Sequence, residues 1–188
     1  MKNQIVSHDL FGNPIRQRRP CYELALQRSD RASLAERAAR LRWVRSTVPK
    51  NLFFCMQYET LALFYEVKAT FISGYFVGTI VLATAFIEHW ISSNLSTIGY
   101  RKEASQGLVA CMACARKNDL IPLILLNKIE QLRIIRNPFI HLKPFKHEHK
   151  IIHRASKSRK RPIDLLESDA QESLRLAYAV ALYSFNDN

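Results

Sequence analysis

Arg136-Asn137-Pro138-Phe139-Ile140-His141 closes a stretch in which Leu125, Ile129, Leu132 and Arg136 recur at spacings of four, three and four. That is the spacing of a single helical stripe, so Arg136 stands where an apolar residue is expected. A guanidinium cannot shed its proton to escape burial, and it is costly there unless something pairs with it. Asn137-Pro138 follows at once, and a residue before proline is pushed away from helical dihedrals. The sequence therefore predicts that the helix breaks at Asn137 and that the chain swings His141 back beside Arg136. A fixed cation, an amide and an imidazole gathered at a kinked helix end can bind and cleave a phosphodiester. The plainer reading is a polar helix end that faces water.

Working outward, the chain is poor in the residues that make turns: 5 Gly and 7 Pro in 188 residues, with 48% hydrophobic residues to supply a core. This favours an all-α fold, an antiparallel bundle of four to five helices. Upstream of the motif helix, predicted over Ile121 to Arg136, helices are expected at about Leu52 to Ile72, Tyr75 to Leu95 and Arg101 to Lys117. The first shows Leu61, Phe64, Val67 and Phe71 on one face. Pro162 opens a last helix reaching about Tyr183. Ala69 to Ile87 contains no charged residue, a run that approaches a membrane span in length. It also contains Thr70, Ser73, Gly74, Gly78, Thr79 and Thr84, and Ser73-Gly74 reads as a turn between helices, so a buried bundle helix is the expectation.

Arg136, Asn137 and His141 match the Arg-x4-6-His signature of the HEPN domains, with a polar residue directly after the arginine. Ser73-Gly74-Tyr75 leading into Val81-Leu82-Ala83-Thr84-Ala85-Phe86-Ile87-Glu88 resembles the small-residue-rich second helix of that family's bundles. The resemblance covers about Asn51 to His141. It implies a HEPN-like bundle, a homodimer placing two motif copies at one cleft, and a metal-independent endoribonuclease, a hydrolase of toxin or antiphage-defence systems. It also implies a possible antitoxin or defence partner, no cofactor and no metal. Where some members carry a modifiable tyrosine beyond the motif, this chain has Leu142-Lys143-Pro144.

The chemistry suits those residues. RNA carries its own nucleophile in the 2′-hydroxyl. A base must take that proton, a cation must stabilise the phosphorane, and an acid must protonate the 5′ leaving oxygen. Imidazole titrates in the neutral range and suits His141 to either proton transfer. Arg136 offers a planar fork for two phosphate oxygens, and Asn137 can hold phosphate or imidazole in place. Glu88, near the end of the apolar second helix, is a candidate to pair with Arg136 or orient His141; otherwise it marks where that helix meets solvent. The products would be a 2′,3′-cyclic phosphate and a 5′-hydroxyl.

The net charge of +12 is uneven. Residues 1–50 hold eleven Lys/Arg against four acids, and residues 143–161 hold eight against one. Two domains' worth of character follow: a basic N-terminal arm with a short helix over 1–50, and the bundle over 51–188 with a basic connection at 142–161. Such segments suggest a polyanion partner, RNA first, with anionic lipid behind it. Arg37, Arg40, Lys143, Lys146, Lys150, Lys157, Arg159 and Lys160 are the candidate phosphate grips, which raise affinity without reading sequence. Phe139 and Phe145 could stack on unpaired bases. In the arm, Ser33-Leu-Ala-Glu36 fits a capping box opening a helix to about Arg45, able to turn Arg37, Arg40 and Arg42 outward.

Asp9-Leu10-Phe11 resembles the end of the short motif that docks proteins on the bacterial sliding clamp, though its leading glutamine is missing; packing of Phe11 onto the domain is the simpler expectation. Cys21, Cys55, Cys111 and Cys114, with no signal peptide, point to the reducing cytoplasm. Cys111-Met-Ala-Cys114 has the spacing of a zinc or redox pair, which His147, His149 and His153 could complete. Buried small residues on a helix account for it better. Two rival functions stand beside the nuclease: a non-catalytic HEPN module binding nucleic acid or protein, and an accessory protein of a mobile element that depends on Leu10 and Phe11.

Overall fold

A computed structural model of the chain describes residues 4–8, 11–12, 14–17, 22–48, 57–183 and 185. The Asp9-Leu10 pair, Cys21, Cys55 and the stretch 49–56 lie outside them. The chain divides into two compact units, Met1–Ala38 and Ala39–Asn188.

In the first unit, β1 (Gln4–His8) pairs antiparallel with β2 (Pro14–Gln17), His8 opposite Pro14, with an irregularity between Ile5 and Ser7. Phe11, expected to pack down, is 90% exposed in the intervening turn. Helix α1 (Tyr22–Thr47) begins eleven residues before the predicted capping box. Residues 22–32 contain neither Gly nor Pro, so nothing stops the helix there. Ser33 is consequently an interior residue, and its Oγ donates back to Ser29 O at 3.1 Å, the usual resort of a hydroxyl inside a helix.

The last residues of α1 belong to the second unit, whose other described elements are α-helices: α2 (Tyr58–Ser73), α3 (Phe76–Thr97), α4 (Arg101–Ala104), α5 (Leu108–Lys117), α6 (Leu123–Ile140), α7 (Ile151–Ser158) and α8 (Pro162–Ala181). The uncharged run forms α2's end and α3, joined as predicted at Ser73-Gly74. Gly74 has φ +84°, the left-handed geometry that ends helices and favours glycine. The single helix expected over Arg101 to Lys117 is two, because Gly107 takes φ +86° between them.

Helix α3 is the centre of the bundle and packs on α2, α4, α5, α6 and α8. Ile80, Ala83, Phe86, Ile87, Ile91 and Leu95 are fully buried on it. Its length and composition would suffice to cross a membrane, and half of its most apolar stretch is buried within the unit. The buried threonines are satisfied locally: Thr84 Oγ1 donates to Ile80 O at 2.9 Å, and Thr79 Oγ1 to Tyr75 O at 3.1 Å. Phe64 meets Phe86 at a tilt and Tyr178 edge-on, at ring separations of 5.1 and 4.7 Å, so α2, α3 and α8 share one aromatic seam. Burial there pushes the Tyr178 hydroxyl up to about 12. Tyr183 donates to Leu120 O at 3.1 Å and ties the chain after α8 to the turn before α6.

Candidate functional site at the end of helix 6

The predicted break at Asn137 does not occur. α6 runs through Pro138 to Ile140, and His141 N–H donates to Asn137 O at 2.9 Å. Proline removes one helical donor and strains the preceding turn, but in the final turn few downstream bonds depend on it. His141 is the residue that leaves the helix, with extended dihedrals of φ −127° and ψ 128°. Its ring is exposed, whereas Arg136 and Asn137 are half-buried.

The Asn137 amide has two placements. In one, its Oδ1 accepts from Arg136 Nη1 at 3.3 Å. Turned over, its nitrogen donates to Arg133 O at 3.1 Å and its oxygen accepts from Arg133 Nη1 at 3.2 Å. The turned form makes two bonds and is the better resting arrangement; it frees the Arg136 fork. Arg133 is itself held by Glu130 through two hydrogen bonds of 2.9 and 2.7 Å. That fork draws the Glu130 carboxyl below its ordinary value. Glu130, Arg133 and Asn137 thus form a chain of contacts along α6 leading into the motif. Glu130 and Arg133 stand three residues apart, a helical ion pair that spacing alone makes legible.

Glu88 is not the partner of Arg136. It makes no ion pair with that residue or with His141. Its Oε1 instead faces Gly107 at the start of α5, 3.5 Å from where a Cβ would stand, near Cys111. A carboxylate at a helix N-terminus suits the dipole there. Arg136 makes no ion pair with any described residue, so its charge remains for an anion. The end of α6 is the negative end of that helix dipole, so a phosphate here must be held by side chains rather than by backbone amides.

Arg40 was expected to face outward as a phosphate grip and does not. It is 9% exposed, donates from Nε to Ile72 O at 3.0 Å, and lies 5.6 Å from the Phe76 ring centroid. It caps the carboxyl end of α2, where carbonyls lack helical partners. Within the first unit, Arg37 pairs with Asp30 at 3.0 Å.

The basic connection is not an open loop. Arg154 forms a bidentate pair with Asp169 of α8 at 2.7 and 2.8 Å, and Asp169 is only 8% exposed. This pins α7 against α8 as a strap. Lys146, Lys157, Arg159 and Lys160 are exposed on it, and Lys143 and Lys150 are half-buried. The strap also folds back on the motif turn: Pro138 and Phe139 line a pocket of about 130 Å³ with Phe145, Lys150, Ile151, Ile152 and His153. A larger groove of about 320 Å³ lies between α6 and α8 over Leu132, Ile135 and Leu176, and it involves no residue of the motif.

His147 and His149 contact each other at a ring separation of 5.2 Å, and His153 Nε2 lies 3.0 Å from Phe145 O. They do not join the cysteines, and no group of three or more His, Cys, Asp or Glu suited to a metal occurs among the described residues. Cys111 and Cys114 are buried and unbridged, and burial pushes both thiols up, away from the reactive thiolate. Comparison with models of known families, with characterised proteins and with solved structures finds no match for the chain.

Proposed function

We propose that the protein is a HEPN-like, metal-independent endoribonuclease working at the carboxyl end of α6. The observation that carries this reading is the junction at Asn137: its side chain reaches Arg136 or Arg133, and its carbonyl holds the backbone of His141. A guanidinium that makes no ion pair among the described residues directly precedes Asn137, and an exposed imidazole hangs from the backbone that the Asn137 carbonyl holds. Arg136 holds the scissile phosphate and offsets the charge that develops on it. His141 takes the 2′ proton or gives a proton to the 5′ oxygen. One imidazole cannot serve both faces at once, so a second copy of the chain brings a second His141 to the same cleft. The exposed lysines of the strap hold flanking phosphates.

The exposed His141 ring, with no carboxylate among the described residues to orient it, favours one other reading: a module that binds RNA without cutting it. Incubating an RNA pool in EDTA with wild type and with His141→Ala separates the two. A catalytic role predicts a loss on the order of a hundredfold or more in the variant, with 2′,3′-cyclic phosphate ends from wild type alone. Binding by both without cleavage by either leaves the module. Equal cleavage by both removes His141 from the chemistry.

A further inference from the structure

The strap exposes apolar side chains that a solvated basic connection has no use for. Phe145 is 82% exposed and Leu142 fully so, among Lys143, Lys146 and Lys150. Phe145 is nevertheless held in place. Its carbonyl contacts His153 Nε2 at 3.0 Å, its ring meets the His153 ring edge-on at 6.2 Å and 81°, and Lys150 Nζ stands 5.8 Å from its centroid. Fixed at its edge and open on its surface, the ring forms one wall of the small pocket whose other wall is Pro138 and Phe139.

That pocket begins one residue after Asn137 and two before His141. It is concave, apolar and small, with a cation at its rim, next to the place assigned to a phosphate. A membrane would ask for a broad apolar face; a concave slot of this size beside a cation suits a single flat group on a charged chain. We infer that it receives one unpaired nucleobase of the RNA strand whose phosphate is held at Arg136, stacked on Phe145, with Lys150 on the neighbouring phosphate. The inference rests on the nucleic-acid reading of the motif and specifies its substrate: single-stranded RNA, or a loop with an unstacked base, in preference to duplex. Stacking on an aromatic ring is sequence-tolerant, because every base has a flat face.

The test uses the full chain carrying His141→Ala, so that RNA stays intact. Its affinity is measured for a short single-stranded RNA containing 2-aminopurine and for a duplex of the same length. Phe145→Ala is expected to weaken single-strand binding on the order of tenfold or more, leave duplex binding unchanged and abolish the 2-aminopurine signal. Phe145→Trp should restore both. Because Phe145 is exposed, these changes leave the bundle intact, which circular dichroism verifies. Equal affinity of Phe145→Ala and its parent overturns the pocket, as does an equal loss for single strand and duplex. Phe145-dependent capture by phosphatidylserine vesicles, without single-strand preference, assigns the surface to lipid and overturns it too. Absence of binding to either RNA overturns the pocket together with the reading beneath it. Base-dependent binding by a wild type that does not cleave upholds the pocket and removes only the nuclease.

Discussion

The carbonyl of Asn137 accepts the backbone N–H of His141 at 2.9 Å, so the last turn of α6 closes across Pro138 instead of opening there. The proline contributes no donor to a helix that continues anyway. Pro138→Ala is therefore expected to stabilise the protein by about 1–3 kcal/mol, since it supplies a donor and removes a clash. Cleavage should persist, because His141 is positioned by the Asn137 carbonyl. A more stable variant that has lost activity would show that the proline's distortion, not the closed turn, sets the site.

Arg154 and Asp169 form a bidentate link between α7 and α8. Removing either partner leaves a largely buried charge unpaired. Asp169→Ala is expected to lower unfolding stability by roughly 3–5 kcal/mol. Limited trypsin digestion should then cut first at Lys157 to Arg161. If chemical denaturation of Asp169→Ala matches wild type, the strap is held by something other than this pair.

Arg40 and Gly74 constrain each other. A Cβ on Gly74 would stand 3.1 Å from Arg40 Nη2, at a φ of +84° that side chains avoid. Gly74→Ala should cost about 1–2 kcal/mol from backbone strain and that contact. Arg40→Ala, by exposing the α2 end and deleting the bond to Ile72, should cost about 1–3 kcal/mol. Affinity for RNA, measured well below the melting temperature, should be unchanged in Arg40→Ala. A weakened affinity in folded protein would return Arg40 to the list of phosphate contacts.

Glu130 is ionised at lower pH in the folded state than in the unfolded chain, chiefly because Arg133 hydrogen-bonds to it. A depressed carboxylate contributes stability that is present above its ordinary value of 4.5 and is lost as pH falls through the lower folded value. Melting temperatures taken between about pH 6 and pH 3 should therefore fall less steeply for Glu130→Gln than for wild type. Parallel curves would mean that the pair does not hold in solution.

The helical stripes of α2, α3, α6 and α8 are readable from apolar spacing, and so is the Ser73-Gly74 turn, because periodicity and glycine's conformational freedom are local properties. The address of the candidate site, Arg136 to His141, is readable for the same reason: a cation on an apolar stripe is conspicuous. Local rules also misled. A proline predicts a break, but its cost falls steeply near a helix end, where there is little ladder left to lose. A serine followed by a glutamate resembles a helix start, although α1 was already under way at Tyr22.

Sequence alone determined that this is a helical protein with a basic connection and a cationic helix end. Tertiary structure alone decided which charges face solvent and which are consumed. Arg40 turns inward to Ile72, thirty-two residues away; Arg154 is spent on Asp169, fifteen residues away; Glu88 lies beside Gly107 and makes no ion pair with Arg136. Composition does not reveal the fate of these three side chains, since nothing within one helical turn of them distinguishes a pairing partner from water. The strap over Pro138 and Phe139 is decided in the same way. Arg154 anchors α7 to the buried carboxylate of Asp169 on α8, and Phe145 and residues 150–153, just before that anchor, lie beside Pro138 and Phe139 at the end of α6.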